Sequence, residues 1–470
     1  MAFLRRTRQR RALVLGLDCA DPDLVFGQLC GELPTLARLM DGGMWGRLRS
    51  STPCITVPAW SSMMSSRDAG ELGLYGFRNR AAWDYQALAS ADSRAVPYPR
   101  LWDTLGEFGK RSLVVNVPQT YPVKPINGAL VSCFLTPNTS ASFTYPAILK
   151  AEVLKHAPHY DFDVRDFRTP DKASLYQRLL DFTAVQYDVL EHLLVHPDIA
   201  WDFAIHVNMG TDRLHHGFWR YHDPRHRLHE PNSPFRYAIR DYYRLVDERI
   251  GRVVERLPED TLVLVVSDHG ALRMDGAIAI NQWLWQNGWL ALKEAPRKSQ
   301  IVAFRPELVD WSKTRAWSTG GYYGRIFLNV QGREPQGMIA PQDVQATRQA
   351  LAEAIATISD HEGNPLHHRV IWPEQVYRQV RGYAPDLMIY FGDLHWRAVG
   401  GLGYPEPTTL ENDAGPDDAN HAEEGLFILY DPRQRAVGQR EGANLLDVAP
   451  TLLHRLGLRP LPDMQGQVWS

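Results

Sequence analysis

Six short apolar runs punctuate the chain: ALVLGL (12–17), SLVVNV (112–117), FAIHVN (203–208), TLVLVV (261–266), DLMIYF (386–391) and LFILY (426–430). Their hydrophobicity is nearly unbroken, whereas a strand with one wet face alternates, so they predict core strands buried on both faces. Helical spacing lies between them. PTLARLM (34–40) is stopped by Gly42 and Gly43, and longer helical patterns cover 171–195, 234–257 and 340–358. Asp447 is placed to cap a last helix over VAPTLLHRLGL. Strands alternating with helices predict an α/β fold with a largely parallel sheet between helices. The alternation breaks at 275–345, where Trp283, Trp285, Trp289, Trp311, Trp317, Tyr322 and Tyr323 gather. The expectation is one domain over 1–470 with an aromatic-rich cap insertion around 275–345, its rings either covering a site or packing a satellite core. The Pro/Gly/Asp-rich stretch 401–420 reads as a long loop.

Composition narrows the function classes. Hydrophobic residues make up 44% and charged ones 22%, as in a soluble globular chain. Lys and Arg number 51 against 54 Asp and Glu, so no overall charge draws the chain to a nucleic acid polymer or an anionic membrane, and a small-molecule partner is expected. Cys19, Cys30, Cys54 and Cys133 lack the density of a disulfide scaffold, which points to a reducing, cytoplasmic setting. Arg5, Arg6, Arg8, Arg10 and Arg11 before ALVLGL imitate a signal peptide. The apolar run is short and ends at Asp18 without a small-residue cleavage pattern, so a buried first strand behind a basic tail is the reading. No stretch approaches the roughly 20 apolar residues of a membrane span.

Metal-ligand residue types occur in five distant segments: Asp18, Thr56, Asp212 with His216, Asp268 with His269, and His421. Three carboxylates, three imidazoles and a hydroxyl make a donor set suited to a two-metal hydrolase. Asp18, Asp212 and Asp268 each follow an apolar run, and a parallel sheet gathers such strand ends on one edge. In TDRLHHGF, Asp212 and His216 are four apart and share a helix face, although His215, three apart, is also within reach. Gly270 is expected to permit a sharp turn after SDH. Pro58 fits a first helical turn, which places Thr56 at a helix N-terminus, where free N–H groups and the helix dipole favour an anion. The stretch LHHGFWRYHDPRHRLH (214–229) is either a pocket wall for a flat leaving group or simple packing.

Asp18, ITVPAWSSM, the D-x-x-x-H of Asp212 and His216, VVSDHG, His421 and the closing DVAPTLLHRLGL, in that order, resemble the alkaline phosphatase superfamily, most closely its type I phosphodiesterase/nucleotide pyrophosphatase branch. The resemblance implies an alkaline phosphatase-like core and two divalent ions, zinc or else manganese. Asp212, His216 and His421 would hold one ion, and Asp18, Thr56, Asp268 and His269 would border the other. Thr56 would attack phosphorus in a small phosphate ester and form a phosphothreonine. The branch often places an Asn about twenty residues after its nucleophile. Here Phe77 stands there, and Arg78 or Asn79 is the expected substitute for binding the phosphate. Arg78 would favour a more highly charged phosphate than a diester. A phosphomonoesterase or phosphonate monoester hydrolase is therefore the alternative, and a non-catalytic metal-binding relative a further one. Sulfatases need Cys or Ser where Thr56 stands, and Trp60 replaces their Arg, which sets that activity aside.

Overall fold

The computed structural model describes residues 10–86, 88–297 and 300–469; Arg5, Arg6 and Arg8 of the basic tail lie outside the described residues. Its main sheet runs Gly438–Gln439, Met44–Arg49, Glu424–Tyr430, Leu262–Val266, Ala12–Leu17, Phe203–Asn208, Ser112–Val115, Gly128–Val131 and Thr144–Tyr145 from edge to edge. Ala12–Leu17 pairs in parallel with both Phe203–Asn208 and Leu262–Val266, while Glu424–Tyr430 enters antiparallel. The predicted α/β architecture with a mostly parallel sheet is therefore present.

Every side chain of Ala12–Leu17 is buried, because successive residues face opposite helical layers. Leu13, Leu15 and Leu17 pack with helices Pro34–Asp41, Lys172–Val195, Gly210–His222 and Ala238–Glu255. Val14 and Ala12 face the layer that holds Trp60 and Met63 of helix Thr56–Ser65 and Leu452 of helix Val448–Arg455. Truncating one such residue, Leu15→Ala, costs about 2–5 kcal/mol by the usual range for core cavities.

DLMIYF departs from expectation. Its strand, Leu387–Tyr390, belongs to a separate four-stranded sheet with Ala316–Ser318, Gly324–Leu328 and Arg369–Ile371. An unbroken apolar run reports burial on two faces but not which strands lie beside it. Two strands of this second sheet lie within 275–345 and two beyond it, and Trp283, Trp289, Trp311 and Trp317 pack into its core. Among the described residues no helix is long and apolar enough to cross a membrane.

Candidate active site and metal centre

The C-terminal ends of three adjacent parallel strands build the site. Asp18 follows Ala12–Leu17 directly, Asp268 comes two residues after Leu262–Val266, and Asp212 lies in the first turn of the helix after Phe203–Asn208. Cys19 takes the left-handed φ of 63°, and its N–H donates to Asp268 Oδ1 at 3.2 Å. Such a conformation in a non-glycine residue is costly and clusters at functional turns. Gly270 acts through space rather than through its turn: a Cβ there would lie 2.3 Å from the carbonyl oxygen of Glu424.

His421 arrives from far along the chain because Ala419–Ala422 pairs antiparallel with Gly270–Arg273, with Ala271 opposite His421. The register sets His421 beside His269, and their rings stack at 3.8 Å. Asp212 Oδ1 lies 3.4 Å from His216 Nε2 and 3.3 Å from His421 Nε2, and the two Nε2 atoms are 3.4 Å apart. Ligands at the ~2.0–2.1 Å distances of tetrahedral zinc are separated by about 3.3–3.4 Å, so this triangle has the dimensions of one face of such a site. Beside it, His269 Nε2 is 3.3 Å from Asp268 Oδ2 and 3.8 Å from Asp18 Oδ1. Thr56 Oγ1 donates to Asp18 Oδ1 at 3.3 Å and lies 3.4 Å from His269 Nε2. All seven residues therefore come together, and all are buried.

The outer nitrogens of the three imidazoles are each occupied. His216 Nδ1 meets Asp417 at 2.6 Å, His421 Nδ1 meets the Cys54 carbonyl at 3.0 Å, and His269 Nδ1 faces the Gly270 carbonyl at 3.2 Å. This arrangement fixes each ring with Nε2 turned inward, the usual support of a metal-binding histidine. His215 is excluded from the cluster: it bonds Tyr243 and lies edge-on to Trp219. The neighbouring Phe218, Trp219 and Tyr221 are core residues, so these rings pack rather than wall a pocket.

Electrostatics fit a cation. Burial and then the charge of Asp212 push the Asp18 carboxyl well up, and burial and then Asp18 do the same to Asp268. Burial opposes the Asp212 carboxylate too, but His216 and Arg213 outweigh it and hold it well below the ordinary range. Burial lowers His421, and burial with His421 lowers His269, leaving both as neutral donors. At His216 the charges of Asp417 and Asp212 overcome burial and raise it to about 10. Asp268 Oδ2 is buried without a hydrogen-bond donor among the described residues. A buried carboxylate oxygen in that state is costly unless a charge satisfies it. Hard oxygens and imidazoles suit zinc or manganese. Asp212, His216 and His421 form one candidate ligand group, and Asp18, Asp212 and His269 another.

Thr56 opens helix Thr56–Ser65, whose N-terminus has no side-chain cap, so its first N–H groups lack intrahelical partners. One turn on, Trp60 Nε1 donates to Asp18 Oδ2 at 2.7 Å. Arg78 and Asn79 sit in a short hairpin outside this cluster. Arg78 is exposed and lines a groove with Trp317 and Arg397, and the Asn79 side chain accepts from the Tyr75 N–H at 2.8 Å.

Trp60, Arg213 and Asp417 also contribute and were not assigned to the site from the sequence, and Tyr322 was noted only among the aromatic rings of 275–345. Trp60 is four residues after Thr56, a spacing that signals a shared helix face, whereas the adjacency of Arg213 to Asp212 carries no such signal. Asp417 lies four before His421, but nothing local marks it as the carboxylate behind His216. Tyr322, the one of the seven aromatics noted in 275–345 that lies over the histidines, is 4.0 Å from the His421 ring and under Arg397.

A comparison with curated proteins gives no match. Among solved structures, murine ectonucleotide pyrophosphatase/phosphodiesterase 5 superposes with a TM-score of 0.55 at 14% identity over 96% of each chain. The human counterpart gives 0.53 at 12% identity over 97% of each. An inactive form of the murine protein in complex with AMP gives 0.53 at 13% over 96% of each. These likenesses establish a shared fold. The type I phosphodiesterase/nucleotide pyrophosphatase family matches residues 12–417, a span that includes every proposed ligand except His421. The chain belongs to this family of metal-dependent phosphodiester hydrolases.

Proposed function

We propose that the chain is a phosphodiesterase of small phosphate esters, with Thr56 as nucleophile beside two divalent ions, most simply zinc. Asp212, His216 and His421 would hold one ion; Asp18, Asp268, His269 and the Thr56 oxygen would hold the other. Bound there, the ions would lower the pKa of the threonine hydroxyl and neutralise phosphate charge. The carrying observation is the placement of Thr56 Oγ1, 3.3 Å from Asp18 and 3.4 Å from His269, at an uncapped helix N-terminus.

The chain's own residues do the rest. Trp60 and the helix hold Asp18 and Thr56 in fixed relation, and the free N–H groups of the first turn are placed to receive a phosphoryl oxygen. Thr56 Oγ forms the bond to phosphorus as the bond to the leaving oxygen breaks, giving a phosphothreonine that still carries the other ester group. Water then bonds to the same phosphorus as the Thr56 Oγ–P bond breaks, and one of its protons returns the threonine hydroxyl while the monoester leaves.

A diester fits better than a monoester because the nearby guanidiniums are already paired. Arg213 is held by Asp163 and Asp212, and Arg168 and Arg397 by Asp417. Exposed Arg78 contributes no buried charge to the cluster. Rates on bis(p-nitrophenyl) phosphate and p-nitrophenyl phosphate, before and after chelation, test this. Diester preference that disappears with the metal is expected, and monoester preference would move the assignment to the phosphatases.

A further inference from the structure

Far from the catalytic cluster, two helices each turn an i, i+4 pair toward the other. Helix Leu149–His156 carries Glu152 and His156, and the end of helix Lys172–Val195 carries His192 and its C-capping His196. Residues so spaced lie one turn apart on one face. His192 Nε2 is 2.8 Å and His196 Nε2 3.8 Å from the same atom, Glu152 Oε1. The His156 ring stacks on His192 at 4.1 Å and 9° and fixes its plane, and His196 stands edge-on to His192 at 5.4 Å.

An ion pair alone accounts for one imidazole on that oxygen. It does not account for two imidazoles turning the same nitrogen toward it. The separations bracket the ~3.3 Å between adjacent ligands of tetrahedral zinc, and two imidazoles with one carboxylate form an established zinc donor set that leaves a position open. The three residues are only half-buried, and the cluster stands between two clefts, one bordered by Glu152 and His196 and the other by His156 and His192, so an ion can reach it. All three ligand atoms lie within 4.8 Å of one another.

We propose that Glu152, His192 and His196 form a metal site separate from the catalytic one, which takes a divalent transition-metal ion, zinc by its donor set, and ties the two helices together. The site involves no residue of the catalytic cluster, and the proposal holds whatever reaction that cluster performs.

Equilibrium dialysis of the full chain against buffered zinc, for wild type, His192→Ala and Glu152→Gln, tests it. Each variant is expected to bind one zinc fewer per chain than wild type and to hydrolyse phosphodiesters at the wild-type rate. Wild type is also expected to gain more in Tm on zinc addition than either variant. Because the readout is a difference, it does not depend on how many ions the catalytic cluster holds. Equal zinc content in wild type and the two variants would overturn the proposal. Should His192→Ala fail to fold, Glu152→Gln decides alone, since it keeps the side chain's shape and removes its charge.

Discussion

Replacing Asp417 with Asn isolates the support behind one metal ligand. The Asp417 carboxylate is fully buried and meets His216 Nδ1 at 2.6 Å, Arg168 Nε at 2.6 Å, Arg397 Nη1 at 2.5 Å and Asn412 Nδ2 at 3.1 Å. Asn keeps the shape and one acceptor but removes the charge that anchors His216 and balances both arginines. Removing one partner of a buried pair costs about 3–5 kcal/mol. The Arg168 side chain retains 18% exposure, so the lower end, about 3 kcal/mol, is expected here. Loss of a carboxylate behind a ligating histidine typically costs about 10–100-fold in metal affinity or activity. The assay is diester hydrolysis over a series of buffered zinc concentrations, at a temperature where circular dichroism shows the variant folded. The curve is expected to move to higher zinc and reach a similar plateau. A folded variant with an unmoved zinc dependence would refute the idea that Asp417 acts through His216.

Three other outcomes follow from single contacts. In Gly16→Ala, the new Cβ would lie 2.4 Å from the Trp60 ring and displace the indole that donates to Asp18, so about 1–3 kcal/mol of stability and part of the activity should be lost; wild-type Tm and turnover would contradict this. Buried His206 is held neutral, with burial pushing it down to about 3, so the unfolded chain binds more protons between about pH 6.5 and 3 and stability falls as pH drops through that window, by at most about 1.4 kcal/mol per unit. Urea midpoints at pH 7 and 4.5 should accordingly fall further for wild type than for His206→Leu, and equal falls would contradict it. Phe in place of Trp60 removes the N–H that Asp18 Oδ2 accepts at 2.7 Å and should cost about 1–3 kcal/mol in a urea melt, with no change as the contrary result.

Much of the site was legible because its signals are local. Asp18 and Asp268 end apolar strands, and strand ends in a parallel sheet share an edge whatever the details of packing. The Asp212 and His216 pair followed from helical spacing. Spacing alone left His215 equally in reach, the family resemblance named His216, and in the fold His215 turns to Tyr243 while His216 is backed by Asp417. His421 is different in kind: its place depends on the register Ala271↔His421 across some 150 residues of intervening chain, which no window of sequence contains. The same limit applies to DLMIYF, whose apolar character is right for a strand yet silent on which sheet receives it. The tryptophans of 275–345 pack into the core of the second sheet, since large rings with few polar partners bury wherever such a sheet offers a face.

The claim on which the rest depends is covalent chemistry at Thr56. Mass spectrometry of peptides from enzyme quenched in acid during turnover of bis(p-nitrophenyl) phosphate reads it directly. An aryl phosphoryl group on the peptide containing Thr56, absent after chelation and absent from Thr56→Ala, is the expected result. An adduct on another residue, or wild-type turnover by Thr56→Ala, would contradict the account.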